Sequence, residues 1–254
     1  MSRDYSVYGL LIGTGASWVP TGIMPLWRSE ERRAEAVPVP IWAIQRNGRT
    51  IVVDTAFDRA LTGDAWASNF SYRPQAEALR EIGVDIDEVE TVILTHLHLD
   101  HATGLDHFPR ARFIMQRSEY EFWTGPMSAY PPIARMCPAA VVQRLRSLHA
   151  EGRLVFLDGD HELQPGLRLV AVGGHTPGMQ MVAIDTSKGT LVLCSDVAYV
   201  YENIAQRWPI GLYHDFAATI LALERALTIA SSDSLAVPNH DIQLWRKEPV
   251  VQLV

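Results

Sequence analysis

The sequence predicts an α/β sandwich, two β-sheets covered by helices. Apolar and β-branched runs short enough for strands fall into two clusters along the chain. Each cluster is accompanied by segments with helical spacing. No linker-like stretch and no internal repeat divides the 254 residues, so one domain spanning 1–254 is expected.

In chain order, residues 7–12 form a short apolar run readable as a strand. Residues 13–40 mix Gly, Pro, Trp and charges and read as a long loop, of the kind that often carries function. Strands follow at 41–45 and 50–54, with Asn47-Gly48 between them as a hairpin signal. Residues 74–82 have helical spacing and stop at Gly83. The run 91–95 is apolar and β-branched throughout, hence a buried strand, and 112–116 reads as another. Ser118 is placed to cap a short helix with Glu119 and Glu121 in its first turn. Residues 125–138 read as Pro-rich loop, and 139–150 as a helix with Val142, Leu145 and Leu148 on one stripe. Strands are expected at 154–157, 167–172, 181–185 and 190–194, separated by Gly, Asp or Ser turns. Residues 216–230 are the strongest helix: Phe216, Ile220, Leu223 and Leu227 recur at helical spacing behind an Asp215 cap. Residues 235–237 are a last short strand.

Composition narrows the function classes. Hydrophobic residues make up 48% of the chain, enough to form a core and to exclude a disordered protein. The 22 Lys and Arg against 29 Asp and Glu give a formal charge of −7 with no basic block, so no nucleic-acid partner is expected. Cys137 and Cys194 each adjoin apolar residues and read as small buried hydrophobes. Two cysteines are too few for a Cys-only zinc site. No apolar run is long enough to span a membrane, and the N-terminus lacks a secretory leader pattern. A cytoplasmic protein without membrane contact is therefore expected.

The chemistry concentrates after the strand at 91–95, in His96-Leu-His-Leu-Asp-His101. In extended chain His96 and His98 point to the same side. Three imidazoles and a carboxylate in so short a run are a dense set of metal ligands, suited to zinc and also to iron, manganese or cobalt. His175 follows the strand at 167–172, in Gly173-Gly-His-Thr-Pro-Gly178. Asp196 follows the strand at 190–194, and His240 follows 235–237 in Pro238-Asn-His-Asp241. Strand ends are where a sheet protein brings together residues distant in sequence. His107, His149, His161 and His214 lack such a context and read as ordinary.

This order of motifs resembles the metallo-β-lactamase superfamily over about residues 41–241. The resemblance implies an αββα fold, two mixed sheets flanked by helices, with a metal site at one edge of the sandwich. It implies that His96, His98 and His175 hold one ion, that Asp100, His101 and His240 hold a second, and that Asp196 bridges both. All seven positions are filled, so two divalent ions are expected, zinc foremost. Two dications against two carboxylates leave excess positive charge. A bridging water would then be a hydroxide near neutral pH, since one zinc ion already lowers the pKa of water to about 7. Such a site hydrolyses: it supplies a nucleophile and polarises a carbonyl or phosphoryl oxygen.

The segment Asp196-Val-Ala-Tyr199-Val-Tyr-Glu202-Asn203 resembles the N-acyl-homoserine lactonase group, as does Gln116-Arg-Ser-Glu119-Tyr120. That likeness implies lactone opening and quorum quenching, with the Tyr199 phenol at the metal pair donating to the developing oxyanion. Asp100 is the candidate to carry a proton to the leaving alkoxide. The substrate would be a small molecule with an apolar acyl part. Trp18, Met24, Leu26 and Trp27 in one loop, and Phe122, Trp123, Met127 and Tyr130 in another, are candidate acyl walls or else core or dimer contacts. The apolar N-terminal loop is compatible with a homodimer.

Three positions depart from the family pattern. Asp54-Thr-Ala56 stands for the usual Asp-Thr-Gly, Pro238-Asn239-His240 for Pro-Gly-His, and Met179 for a frequent His. No ligand is lost, which argues against a non-catalytic binding protein. An ester, cyclic amide or phosphotriester hydrolase on the same site is the alternative, with an iron-dependent oxidoreductase behind it. A glyoxalase-II-like thioesterase would want a helical domain after His240, and a nuclease a basic surface.

Overall fold

The first sheet is built from β1 (Ser6–Gly15), β2 (Val37–Arg46), β3 (Arg49–Val53), β4 (Thr91–Ile93), β5 (Arg112–Gln116) and β6 (Leu154–Leu157). The second holds β7 (His161–Gln164), β8 (Leu167–Ala171), β9 (Gln180–Thr186), β10 (Gly189–Leu193) and β11 (Ala236–Val237), and β12 (Val250–Gln252) returns to the first. This computed structural model describes residues 5–15, 36–62 and 68–254. Sheet order is β12-β1-β2-β3-β4-β5-β6 and β11-β10-β9-β8-β7. The first sheet is antiparallel from β12 to β3 and parallel from β3 to β6. The second is antiparallel except for β10 with β11. Both sheets are thus mixed, as expected.

Strand alternation builds the layers. Ile44, Ile51, Val53, Ile93 and Ile114 turn inward to meet Leu169, Val182, Ile184, Leu191 and Leu193 of the second sheet. Ala43, Val52, Val92, Phe113 and Met115 point the other way, beneath a helical layer that includes Leu79, Leu145 and Leu148. Met181, Ala183 and Val192 face Ala222, Leu223 and Ala226. Burial of these faces is the main force holding the four layers together.

The α-helices among the described residues are α1 (Arg59–Thr62), α2 (Gln75–Arg80), α3 (Leu99–Ala102), α4 (Arg117–Thr124), α5 (Pro131–Ala134), α6 (Ala139–Ala150), α7 (Tyr201–Ala205) and α8 (Phe216–Ile229). The hairpin signal is borne out: Asn47 and Gly48 both have positive φ, at 52° and 73°, as a type I′ turn needs. Asp215 caps α8 by accepting from the Ala218 amide.

Several expectations are corrected. The expected loop at 13–40 is strand at both ends, because Val37 and Val39 are buried β-branched residues that pair with β1. Pro38 and Pro40 are tolerated because there β2 has one neighbour, β3 pairing only from Trp42 onward. Residues 16–35, with Trp18, Met24, Leu26 and Trp27, lie outside the described residues. Ser118 does not cap α4; Gln116 is the cap residue and makes no side-chain cap bond. The Pro-rich stretch holds a 3-10 turn at Pro126–Ala129 and α5, each with Pro in its first turn, where no amide bond is lost. The buried face of α8 is Thr219, Ala222, Leu223 and Ala226, while Phe216 and Ile220 are exposed. Apolar residues are not confined to the buried face, since Phe216, Ile220 and Leu221 are exposed, and Ala222 and Ala226 are among those that pack on the sheet.

Candidate metal centre

Each candidate ligand sits just past the C-terminal end of a strand. Residues 94–98 run from β4 into α3, carrying His96 and His98, with Asp100 and His101 on α3 itself. His175 follows β8 after Gly173 and Gly174, both at positive φ. A side chain at Gly174 would lie 2.7 Å from the Thr219 amide nitrogen, so the approach of α8 demands glycine there. Asp196 lies in a 3-10 turn, Ser195–Val197, after β10, and His240 follows β11.

The seven side chains gather into two groups. His96, His98, His175 and Asp196 form one, Asp100, His101 and His240 the other, with ligand atoms in each within 4.8 Å of one another. All but Asp100 are buried. Asp196 stands between the groups. Its Oδ2 is 3.2 Å from His175 Nε2 and 3.7 Å from His96 Nε2. Its Oδ1 is 3.3 Å from His101 Nε2 and 3.2 Å from His240 Nε2.

The outward nitrogens fix the rings. His175 Nδ1 is 2.7 Å from the Leu212 carbonyl oxygen, and His240 Nδ1 is 2.7 Å from that of Pro38. A carbonyl only accepts, so both rings carry a proton on Nδ1 and turn Nε2 inward. His101 Nδ1 donates to Asp54 Oδ2 at 2.8 Å. His98 is reversed: its Nδ1 lies 2.8 Å from His175 Nε2 and 3.1 Å from His96 Nε2.

These residues fit divalent ions. Three imidazole nitrogens and a carboxylate converge on one point, and lone pairs so placed need a cation among them. His101 Nε2 and His240 Nε2 are buried and both turn to Asp196 Oδ1, at 3.3 and 3.2 Å, two ring nitrogens and a carboxylate directed at one place. Burial holds His96 and His98 well below the ordinary histidine range, which keeps both in the neutral, ligating form. Burial also opposes charge on His101 and His240, but Asp196, with further carboxylates, overrides it and raises both. Burial would raise Asp196, yet His101 and His240 hold it well below the usual carboxylate range.

In the sequence Asp54 stands out only as part of a family pattern. Its carboxylate accepts from the Thr95 amide and hydroxyl as well as from His101. The available signal was an acid at the end of β3, the strand beside β4. Asn239 likewise fills space: its Oδ1 accepts from the Trp42 indole at 3.1 Å, and its amide nitrogen is 3.5 Å from Asp196. Cys137 and Cys194 are free and buried, and burial pushes both thiols up to about 12.

A cavity of about 520 Å³ opens onto both groups, lined by His98, Asp100, Asp196 and Tyr199. Tyr199 is buried, its ring centroid 5.4 Å from that of His240 and 6.0 Å from that of His175. Burial, then Asp196 and Asp100, pushes its phenol well above the ordinary range, so it is protonated at neutral pH. Of the two readings of the second apolar loop, acyl wall or core and dimer contact, the described residues favour the latter for Trp123. Trp123 is buried in the core, and Met127 and Tyr130 are exposed and do not line the cavity. Pro132, Met136, Leu99 and Leu212 form the wall, with Thr62 and Arg135. The Met136 carbonyl accepts from the Leu99 amide at 2.8 Å, which draws the segment after α5 onto the histidine motif.

Residues 34–237 match the family model of the metallo-beta-lactamase superfamily. An N-acyl homoserine lactonase from Bacillus sp is 25% identical over 228 residues, covering 84% of this chain and 85% of that protein. Among solved structures, an N-acyl homoserine lactone hydrolase with the product N-hexanoyl-L-homoserine at its catalytic metal centre superposes with a TM-score of 0.72. It is 20% identical and covers 96% of this chain and 95% of its own. A dizinc quorum-quenching lactonase gives 0.74 at 17% identity, covering 97% and 90%. Fold, matched residues and the clustered strand-end donors agree: the chain belongs to the metallo-beta-lactamase superfamily.

Proposed function

We propose that this protein is a dinuclear metal-dependent hydrolase that opens the ring of an N-acyl-homoserine lactone or a similar lactone. The observation that carries this reading is one cavity in which both donor groups meet a buried, neutral phenol. The lactonase relatives support the same substrate class. Pairing of the first and last described strands, β1 and β12, supports reading the chain as one hydrolase domain.

His96, His98 and His175 would hold one ion, Asp100, His101 and His240 the other, and Asp196 both. When bound, divalent ions such as zinc supply an activated water and polarise the carbonyl group. Tyr199 donates its phenolic hydrogen to the carbonyl oxygen, a bond that strengthens as negative charge develops there. Asp100, at the cavity face, takes up the proton that the attacking water gives up and passes it to the alkoxide that leaves when the ring opens. Leu99, Pro132, Met136 and Leu212 offer the acyl part an apolar wall.

The test is a pH-indicator hydrolysis assay across acyl-homoserine lactones, esters and phosphotriesters, with metal content measured on the same sample. Lactones are expected to be the preferred class. Turnover of an ester or phosphotriester far above every lactone would overturn the reading.

A further inference from the structure

Glu119 belongs to neither donor group, yet it is buried against both loops that carry the more enclosed one. Its Oε1 accepts from the Leu97 amide at 2.9 Å, and its Oε2 accepts from the Gly178 amide at 2.9 Å. Leu97 separates His96 from His98, and Gly178 ends the turn that presents His175. One carboxylate therefore joins two chain segments that have no covalent tie near the site. Oε1 also accepts from the Trp123 indole at 2.7 Å, and that ring stands edge-on to His98 at 5.5 Å. The joint is tight: a Cβ on Gly178 would lie 2.1 Å from the Glu119 amide nitrogen, so only glycine lets α4 come this close.

We propose that Glu119 is a positioning residue for the His96, His98 and His175 group. By clamping the two loops it holds His98 Nδ1 and His175 Nε2 2.8 Å apart, and so sets how firmly that group binds a divalent ion. The proposal rests on the reading of those residues as metal ligands. A buried acid outside the ligand set earns its place here through geometry: partners that orient ligands typically change metal affinity about 10-fold to 100-fold when lost.

Glu119→Gln tests this sharply. It keeps the shape and one acceptor but sets an amide NH₂ against a backbone N–H, two donors facing each other in a buried site. Metal-free protein is titrated with cobalt(II), following visible absorption and chelator competition, alongside its thermal midpoint. His98→Ala identifies the ion of the enclosed group as the one it loses. Leu148→Ala, a core cavity in α6, serves as a destabilised control. Glu119→Gln is expected to weaken that ion about 10-fold or more, with an altered spectrum, and to leave the other within about 2-fold. Glu119→Asp, too short to span both loops, should weaken the same ion by less, and stands in if the Gln variant does not fold. Leu148→Ala should lower the midpoint and leave both affinities unchanged. Wild-type cobalt affinity and spectrum in the Glu119 variants, with the ion lost in His98→Ala, would overturn the proposal alone. Cobalt binding unchanged in His98→Ala would overturn the ligand reading and the proposal with it. Equal weakening by Leu148→Ala would reduce Glu119 to a general stabilising role.

Discussion

The two donor groups use the same residue types but are enclosed and braced differently. His96, His98, His175 and Asp196 are all buried, and their loops are joined from behind by Glu119. Asp100, His101 and His240 include the one partly open ligand, Asp100, and their brace is Asp54, which holds His101 directly. Glu119 joins two loops through their amides, whereas Asp54 holds a histidine ring and also the Thr95 amide and hydroxyl next to His96. The cavity reaches both groups, touching His98 and Asp196 of the first and Asp100 of the second, so burial and bracing, not access, set them apart. Asp196 is the side chain that couples them, with one oxygen turned to each.

The largest effect should come from removing that coupling. Asp196→Ala is expected to lose one of two ions and at least about 10³-fold in hydrolysis, read by metal analysis and turnover. Tyr199→Phe acts on the cavity side alone. It should keep both ions and lower kcat by about 10-fold to 100-fold, with KM little changed, because the ring still fills its place. An unchanged kcat would make the phenol a bystander. Asp54→Asn separates the braces: metal competition should show the ion at His101 weakened about 10-fold and the ion at His96 by less, through the Thr95 bonds. Equal weakening of both ions would erase the distinction between the groups. The smallest effects concern the helices behind the site. Ser118→Ala should shift stability by no more than about 0.5 kcal/mol, since Ser118 caps nothing. Asp215→Ala should cost about 1 kcal/mol, since Asp215 accepts from the Ala218 amide. Thermal unfolding of the metal-free protein measures both.

The candidate ligands were legible because each lies a few residues beyond an apolar run, and strand ends converge wherever the strands share a sheet edge. Asp54 and Glu119 were less so. Their partners are backbone amides and a ring nitrogen more than 20 residues away, and no local pattern announces such contacts. β7 escaped because it is a polar edge strand with little burial, and β12 because only three residues pair. The face of α8 was misassigned at Phe216 and Ile220 because apolar residues also lie on its exposed side, while Leu223 is buried as expected beside Ala222 and Ala226. The cavity wall depended on the Leu99–Met136 backbone bond, which sequence does not display.

The central claim is that two ions, one in each group, are needed together. Metal-free protein titrated with zinc, with lactone turnover followed at each addition, tests it most directly. Turnover should stay near zero through the first equivalent and rise with the second, levelling at two ions per chain. Full turnover with one ion or fewer per chain would contradict it.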